Sequence, residues 1–267
     1  MFLTNFLRNI SYRRDTIALI VKRDFQEKYQ GSILGLLWTI LIPLIMLFVY
    51  SFVFSVVFKA RWDVSNNESK GIFALVLFGN LILFNFLSET LATSTSCITN
   101  NPNLVKKVKF SLQLLPLCKA ITAAVNQLTS VAIFLIGLAC FGQISWNLLL
   151  TPLLLPPLFF TALGLGYLVS AINVYFRDLN QMIGVIITLI LFLSPIFYPL
   201  AAIPEKYQFL IKMNPLSYLL EEFRIVVFMQ EQPNFLILGV FYIASITIAY
   251  AGYKVFRKLQ PSFGDVL

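Results

Sequence analysis

The sequence contains no histidine in 267 residues. Histidine is the commonest general base and a frequent metal ligand, so its absence argues against most enzymatic functions and against a metal site. A GxxxxGK[ST] motif is also missing, and the chain therefore lacks the loop that would cradle ATP phosphates. We expect no cofactor in this chain, and any ATP must be hydrolysed by a partner.

Charged residues and cysteines are also few. Only 12% of the residues are charged, 58% are hydrophobic, and the mean hydropathy is +0.82, which excludes an ordinary soluble domain. The three cysteines, Cys97, Cys118 and Cys140, show no CxxC spacing and predict no disulfide framework. The net charge of +8 comes from short basic clusters between apolar runs, so we expect a membrane surface as partner rather than nucleic acid.

Two helices are predicted before the first long apolar run, in a cytoplasmic region covering residues 1–32. Residues 2–12 place five apolar side chains on one face, the pattern of an amphipathic helix in the membrane interface. A second, basic helix can begin at Asp15 as its N-cap. The apolar side chains of the first helix are Phe2, Leu3, Phe6, Leu7 and Ile10.

Apolar runs of about 20 residues match the roughly 30 Å hydrocarbon core of a bilayer, where helices satisfy their own backbone hydrogen bonds. The predicted fold is therefore an all-α membrane domain over residues 33–267 with six transmembrane helices. Residues 201–232 are too polar to span, and their short apolar pieces favour a re-entrant helical pair, with a surface loop as the alternative. The six predicted spans are 33–57, 72–92, 114–141, 148–171, 182–200 and 235–255.

Lys and Arg residues predict the orientation, because they are enriched on the cytoplasmic side. Most of them lie before the first span, between the second and third spans, and after the sixth. Both termini are therefore predicted to be cytoplasmic.

Several charged residues stand out against this apolar background. Glu89 lies within the second span, where an ionisable side chain is costly and has a functional or a structural role. Its candidate partners are Lys119 and the N-terminal helices. Arg177 and Asp178 follow the fourth span. There they either form a local ion pair or bond to the exposed carbonyls at the end of the helix. In the re-entrant region, Asn214 and Pro215 break the helix, and three charged residues line an exit or are simply solvated: Glu221, Glu222 and Arg224.

Aromatic residues are abundant, with 26 Phe and 11 Tyr. Aromatic faces suit the apolar C–H faces of sugar rings, although lipid-facing belts and helix packing are the ordinary alternatives. The candidates for substrate contact near the ends or middle of spans are Phe54, Phe58, Phe159, Phe192, Phe197 and Tyr198.

Two glycine pairs have ordinary explanations. Gly31 and Gly35 form a GxxxG at the start of the first span, which predicts close helix packing. Gly164 and Gly166 resemble a fragment of a dinucleotide loop, but no strand precedes them, so nucleotide binding is dismissed.

Five strings, in this order, resemble the permease subunits of type-2 ABC exporters that move O-antigen, teichoic acid and related polysaccharides. The first is RDFQEKYQGSILGLLWTILIPL, from Arg23 to Leu44, and the resemblance covers the whole chain. The other four are NPNLVKKVKF, LGLGYLVSAINVYFRD, SPIFYPL and MNPLSYLLEEFR.

The resemblance implies a homodimer in the bacterial inner membrane with two copies of a separate ABC ATPase, which would bind ATP and Mg. The substrate would be a lipid-linked polysaccharide, passing between the first and fifth spans at the dimer axis, with gate helices at about 204–229 on the outer side. The residues implied to face the ATPase lie in the basic helix and in a coupling segment at about 100–112. They are Asp24, Glu27 and Lys28, followed by Asn101, Leu104, Lys106, Lys107 and Phe110.

Four alternatives stay open. The polymer can be a teichoic acid or a capsular polysaccharide instead of an O-antigen, or the substrate can be a small lipophile. A membrane enzyme acting on lipid-linked sugars and a scaffold that only anchors an ATPase are the other two. The basic segment Asn101 to Leu117 also has two interpretations. It is a docking site for a soluble partner, or its basic residues only fix the orientation of the chain in the membrane.

Overall fold

The computed structural model describes residues 13–53, 70–106, 110–198, 203–212 and 214–267. This part of the chain is helical and contains no strand, so the predicted all-helical class is confirmed. The amphipathic helix expected at residues 2–12 lies outside the described residues. In chain order, the α-helices are α1 Arg14–Tyr29, α2 Trp38–Tyr50, α3 Lys70–Thr95, α4 Pro102–Lys106, α5 Leu114–Cys140, α6 Leu155–Tyr175, α7 Leu179–Phe192, α8 Glu205–Lys212, α9 Pro215–Arg224, α10 Phe235–Leu259 and α11 Phe263–Val266.

Within the described residues, five helical segments are long and apolar enough to cross a membrane. Two of them gain length from 3-10 turns before α2 and α6. The predicted fifth span coincides instead with α7, whose 14 residues extend about 21 Å, short of the roughly 30 Å hydrocarbon core. The five segments are Gly35–Val53, Gly71–Thr95, Leu114–Cys140, Trp146–Tyr175 and Phe235–Val266.

Helix α3 is the centre of the bundle. In its most apolar stretch 78% of the residues are buried, because α5, α6, α7 and α9 all pack around it. The segment Gly35–Val53 is the opposite case, since none of its most apolar stretch is buried. Helix α2 therefore presents an unusually large apolar surface to whatever surrounds the single chain.

A second cluster of buried side chains joins several segments at one end of the bundle, which we call the α1 end. Ile17 of α1, Ile98 beyond α3, Leu115 of α5, Tyr167 of α6 and Phe256 of α10 all belong to it. Phe263 of α11 packs edge-on against Phe256, with ring centroids 5.5 Å apart. Helix α1, which precedes the first long apolar segment, and α11, which follows α10, therefore lie at the same end.

The other end of the bundle holds the beginning of α3, the end of α5, the 3-10 turn Trp146–Leu154 and the beginning of α10. The Asn147 side chain donates a hydrogen bond to the Gln230 carbonyl, and the Tyr242 hydroxyl donates one to the Leu153 carbonyl at 2.6 Å. Helix α6 ends at the α1 end, whereas α10 begins at this opposite end. Residues 176–234 therefore travel from one end of the bundle to the other.

Glycine allows α6 and α10 to approach each other at backbone distance. A Cβ built on Gly252 of α10 would lie 2.1 Å from the carbonyl oxygen of Gly164 in α6. Small residues at such crossings are typical of helix packing in membranes. Gly164 is thus a packing residue, in agreement with the dismissal of a nucleotide loop.

Among the described residues of the single chain, Gly31 and Gly35 make no close helix contact of the kind that their spacing predicted. A Cβ on either would meet no described atom within 4 Å, and both residues have positive φ angles, +80° and +49°. Glycine adopts this left-handed conformation without the steric cost that a Cβ brings. The two glycines therefore shape the connection between α1 and α2.

Candidate functional site

Helix α1 lies against the bundle along one face. Ile17, Ile20 and Asp24 are buried at a spacing of three and four residues, which places them on the same side of a helix. Asp15 in the first turn and Lys28 in the last turn both have the sign that the helix dipole favours. The buried face is therefore fixed by two isoleucines and one carboxylate.

Asp24 holds α1 to α5 through an ion pair. Lys119 Nζ lies 2.7 Å from Asp24 Oδ2, and the Arg23 guanidinium lies 3.0 Å from Oδ1. The Asp24 side chain is only 4% exposed, so both carboxylate oxygens are satisfied where an unpaired charge would be costly. Asp24 thus faces the bundle and not the outer surface where the resemblance placed an ATPase contact.

Glu89 holds α1 to α3 in a second ion pair. Its Oε1 accepts hydrogen bonds from Lys28 Nζ at 2.7 Å and from Asn126 Nδ2 at 2.6 Å. Of the two partners considered from the sequence, the structure selects the N-terminal helix, since Lys119 is paired with Asp24.

Of the three α1 residues expected at the ATPase, Glu27 is the one with a mainly exposed side chain, paired with Arg23 at 3.4 Å.

The segment expected to contact the ATPase lies at the α1 end. The Asn101 amide donates to the Cys97 carbonyl at 2.9 Å, just before the short helix α4. Leu104 and Phe110 pack against the cluster of the α1 end, while Lys106 is exposed. Lys107 lies outside the described residues.

The aromatic candidates divide into three groups. Phe159 stacks on Phe86 with ring centroids 6.2 Å apart, which fits helix packing. Phe192 is exposed at the end of α7, close to Phe197, and the Tyr198 hydroxyl donates to the Phe192 carbonyl at 2.5 Å. Phe54 and Phe58 lie outside the described residues.

The predicted helix break before α9 is an N-cap. The Asn214 Oδ1 accepts from the Leu216 backbone N–H at 3.0 Å, and Pro215 occupies the first turn, where its missing N–H has no consequence. The Asn214 amide also donates to Ser194 Oγ at 2.8 Å. This residue therefore connects the segment after α7 to the beginning of α9.

The charged residues at the end of α9 are not simply solvated. Arg224 is 5% exposed and paired with Glu221, and Glu222 is 7% exposed. Glu222 Oε2 accepts a hydrogen bond from the Asn234 backbone N–H at 3.1 Å, at the beginning of α10. Burial raises the pKa of Glu222, and the Asn234 hydrogen bond lowers that pKa part of the way back.

This raised pKa predicts a pH-dependent effect of Glu222→Gln. Below the ordinary pKa of 4.5 the buried Glu222 carboxyl is protonated and does not destabilise the folded state. As the pH rises through the higher folded-state pKa, the carboxyl becomes charged and the free energy of unfolding of the wild type falls. The glutamine variant carries no charge at either pH. It should therefore unfold at about the same temperature as the wild type at pH 4, and at a higher temperature than the wild type at pH 8. Thermal unfolding in detergent at both pH values measures this. Glu231→Gln, which removes an exposed carboxylate nearby, is the matched control and should unfold at about the temperature of the wild type.

Arg177 and Asp178 are both exposed between α6 and α7. Asp178 occupies the N-cap position of α7, but its side chain makes no capping hydrogen bond. The described contacts include no ion pair between the two residues, so the expected local pair is not formed.

Among the described residues, no group of three or more Cys, Asp or Glu side chains is arranged to hold a metal ion.

Asn126 and Gln127 are site residues that were not predicted from the sequence, and Lys119 was considered there only as a partner for Glu89. All three lie on α5 and reach acidic residues of other helices, with Gln127 Nε2 3.5 Å from Glu89 Oε2. The detectable signal was Lys119 itself, an ionisable residue in the first turns of an apolar helix, which requires a partner.

The fold and this arrangement define a multi-pass helical membrane protein with a polar helix attached at one end. A model of the ABC-2 type transporter family matches residues 16–228, and the chain belongs to this family. Members of the family are transmembrane subunits whose ATPase is a separate chain.

The sequence is 28% identical to a protein of Myxococcus xanthus named O-antigen export system permease protein RfbA, over 97% of this chain and 98% of the relative. A Klebsiella pneumoniae protein of the same name is 26% identical over 97% of both chains. The polysialic acid transport protein KpsM of Escherichia coli is 24% identical over 90% of this chain and 92% of the relative. The resemblance to polysaccharide export permeases is confirmed, and these relatives support an inner membrane location.

Proposed function

We propose that this chain is the transmembrane subunit of an ATP-driven exporter that moves a lipid-linked polysaccharide of the O-antigen type out of the cytoplasm. The observation that carries the proposal is full-length similarity to permeases named for O-antigen export. The similarity to KpsM keeps a capsular polysaccharide as the second candidate. The cargo passes through the membrane subunit, and the energy comes from a partner.

The proposal includes six crossings with both termini in the cytoplasm. Five long apolar segments leave one crossing to be made by α7 and the residues that follow it. The path of residues 176–234 between opposite ends of the bundle supports this sixth crossing. Leu216, Leu219 and Leu220 of α9 are buried in the main core, which favours a re-entrant α8–α9 pair.

The proposed assembly is a homodimer with two ABC ATPases. Exposed apolar side chains on α2 and α7 supply a surface that a second copy can cover, including Phe48, Val185 and Leu189. The outward face of α1 and the segment around Lys106 are the proposed ATPase contacts. Because Asp24 and Glu89 fix α1 to α5 and α3, a push on α1 would be delivered directly to these two helices.

Charge reversal at Lys106 is expected to release the ATPase. In wild-type protein isolated under mild detergent, about one ATPase chain should accompany each permease. Lys106→Glu should lower this ratio, and Lys106→Glu with Lys107→Glu should lower it further, because an exposed basic contact is replaced by a repulsive one. Quantitative mass spectrometry of the purified complex measures the ratio.

The matched control is Lys206→Glu, the same change on α8 in the proposed outer region, which should leave the ATPase bound. Equal loss in both variants would contradict a contact at Lys106. A permease isolated without any ATPase would contradict the ATP-driven function itself. Reconstituted vesicles with labelled O-antigen or capsular lipid-linked polymer then distinguish the two cargoes.

A further inference from the structure

A groove of about 350 Å³ lies between α2, α3 and α5, with its polar end beside the last turn of α1. On α3, the lining residues run from Phe78 to Glu89, a distance of about 16 Å at 1.5 Å per residue. This length is close to half of the roughly 30 Å hydrocarbon core. The groove therefore spans about one leaflet along the helix direction.

The two ends of the groove differ in polarity. The inner end is lined by apolar side chains such as Ile42, Met46 and Ile82. The end nearest α1 carries the polar groups Lys28, Asn85, Ser88, Glu89, Asn126 and Gln127. A chain-shaped apolar cavity that ends in a polar pocket matches a lipid molecule with its headgroup beside α1.

The polar end carries one positive and one negative charge, at Lys28 and Glu89. It also retains capacity to accept hydrogen bonds. Asn126 already donates to Glu89 Oε1 at 2.6 Å, and Glu89 Oε2 has Gln127 Nε2 only at the 3.5 Å limit. A headgroup with a positively charged N–H donor would satisfy Glu89 Oε2 through a charge-assisted hydrogen bond.

We infer that this groove binds a phospholipid with a phosphoethanolamine headgroup. The phosphate lies near Lys28 and the Gln127 amide, and the primary ammonium donates to Glu89 Oε2. A phosphatidylglycerol headgroup can donate from its hydroxyls, but it has no positive charge to pair with Glu89 or to offset its own phosphate. A phosphatidylcholine headgroup has the positive charge but no N–H to donate, so the groove discriminates against both.

The test is native mass spectrometry of the full-length protein in mild detergent, titrated separately with phosphatidylethanolamine, phosphatidylcholine and phosphatidylglycerol. The wild type should retain phosphatidylethanolamine over each other lipid by about tenfold, the factor given by one charge-assisted hydrogen bond. Glu89→Gln should reduce both preferences toward equality, because it removes the negative acceptor. Glu231→Gln, the same change at an exposed site before α10, should leave both preferences unchanged.

A second pair of variants tests the groove by shape, without changing its charge. Ile42→Trp places a larger ring in the groove and should abolish retention of phosphatidylethanolamine, whereas Ile243→Trp, the same change at an exposed site on α10 outside the lining, should not. This pair decides the question if Glu89→Gln does not fold.

Three outcomes would overturn the inference. The first is a preference for phosphatidylethanolamine that survives both Glu89→Gln and Ile42→Trp. The second is an equal loss in the control variants. The third is that protein isolated from its native membrane carries a lipid-linked glycan in place of the phospholipid, and that Ile42→Trp abolishes retention of this glycan. Lipid retention is read separately from transport, so failure here leaves the proposed export function intact.

Discussion

Gly252→Val is expected to cause one of the largest losses of stability that a single substitution can produce in this chain. The new Cβ would lie 2.1 Å from the carbonyl oxygen of Gly164 and 2.9 Å from its carbonyl carbon. Both are backbone atoms, so α6 and α10 would have to separate along their closest contact. Overpacking costs about 1–3 kcal/mol or more, and we expect the unfolding temperature in detergent to fall by roughly 5–10 °C.

Gly239→Val is the matched control because it makes the same change on the same helix. A Cβ at Gly239 meets no described atom within 4 Å, so this variant should unfold within about 2 °C of the wild type. A similar loss in the two variants would mean that valine acts through its helix propensity and not through the contact with Gly164. Circular dichroism during heating gives both values.

The sequence predicted the helical class and the approximate positions of the long spans because their apolar runs are determined locally by composition. The predicted boundaries 72–92 and 114–141 lie close to the observed segments Gly71–Thr95 and Leu114–Cys140. The segment at 182–200 was harder, because apolar composition continues beyond Phe192, where α7 ends. Composition does not report where a helix stops inside an apolar run.

The candidate site was predicted less well, since its contacts join residues that are far apart in the chain. Glu89 was recognised as costly in its surroundings, but only the fold shows that Lys28, 61 positions earlier, is its partner. Asp24 was expected to face the ATPase because the resemblance assigns its helix to that interface, whereas its carboxylate is buried against Lys119. Gly252 attracted no attention, since its partner Gly164 lies on another helix.

Asp24→Asn is expected to destabilise the attachment of α1. Lys119 is 21% exposed, and Asp24 is the ion-pair partner that the structure shows for it. Removing the carboxylate leaves the lysine charge partly buried, and breaking such a pair costs about 3 kcal/mol. The unfolding temperature should therefore fall, and the backbone amides of α1 should exchange hydrogen faster than in the wild type.

The double variant Asp24→Asn with Lys119→Met separates a buried charge from a generally weakened contact. Methionine occupies a similar volume without charge, so the double variant should be more stable than Asp24→Asn alone. Glu27→Gln, which removes an exposed carboxylate from the same helix, should change stability by less than about 1 kcal/mol. If the double variant is as unstable as Asp24→Asn or less stable, the lysine charge is not the cause. Rescue by Lys119→Met would instead show that Asp24 is needed because Lys119 lies beneath α1, which makes this pair a fixed link between α1 and the membrane helices.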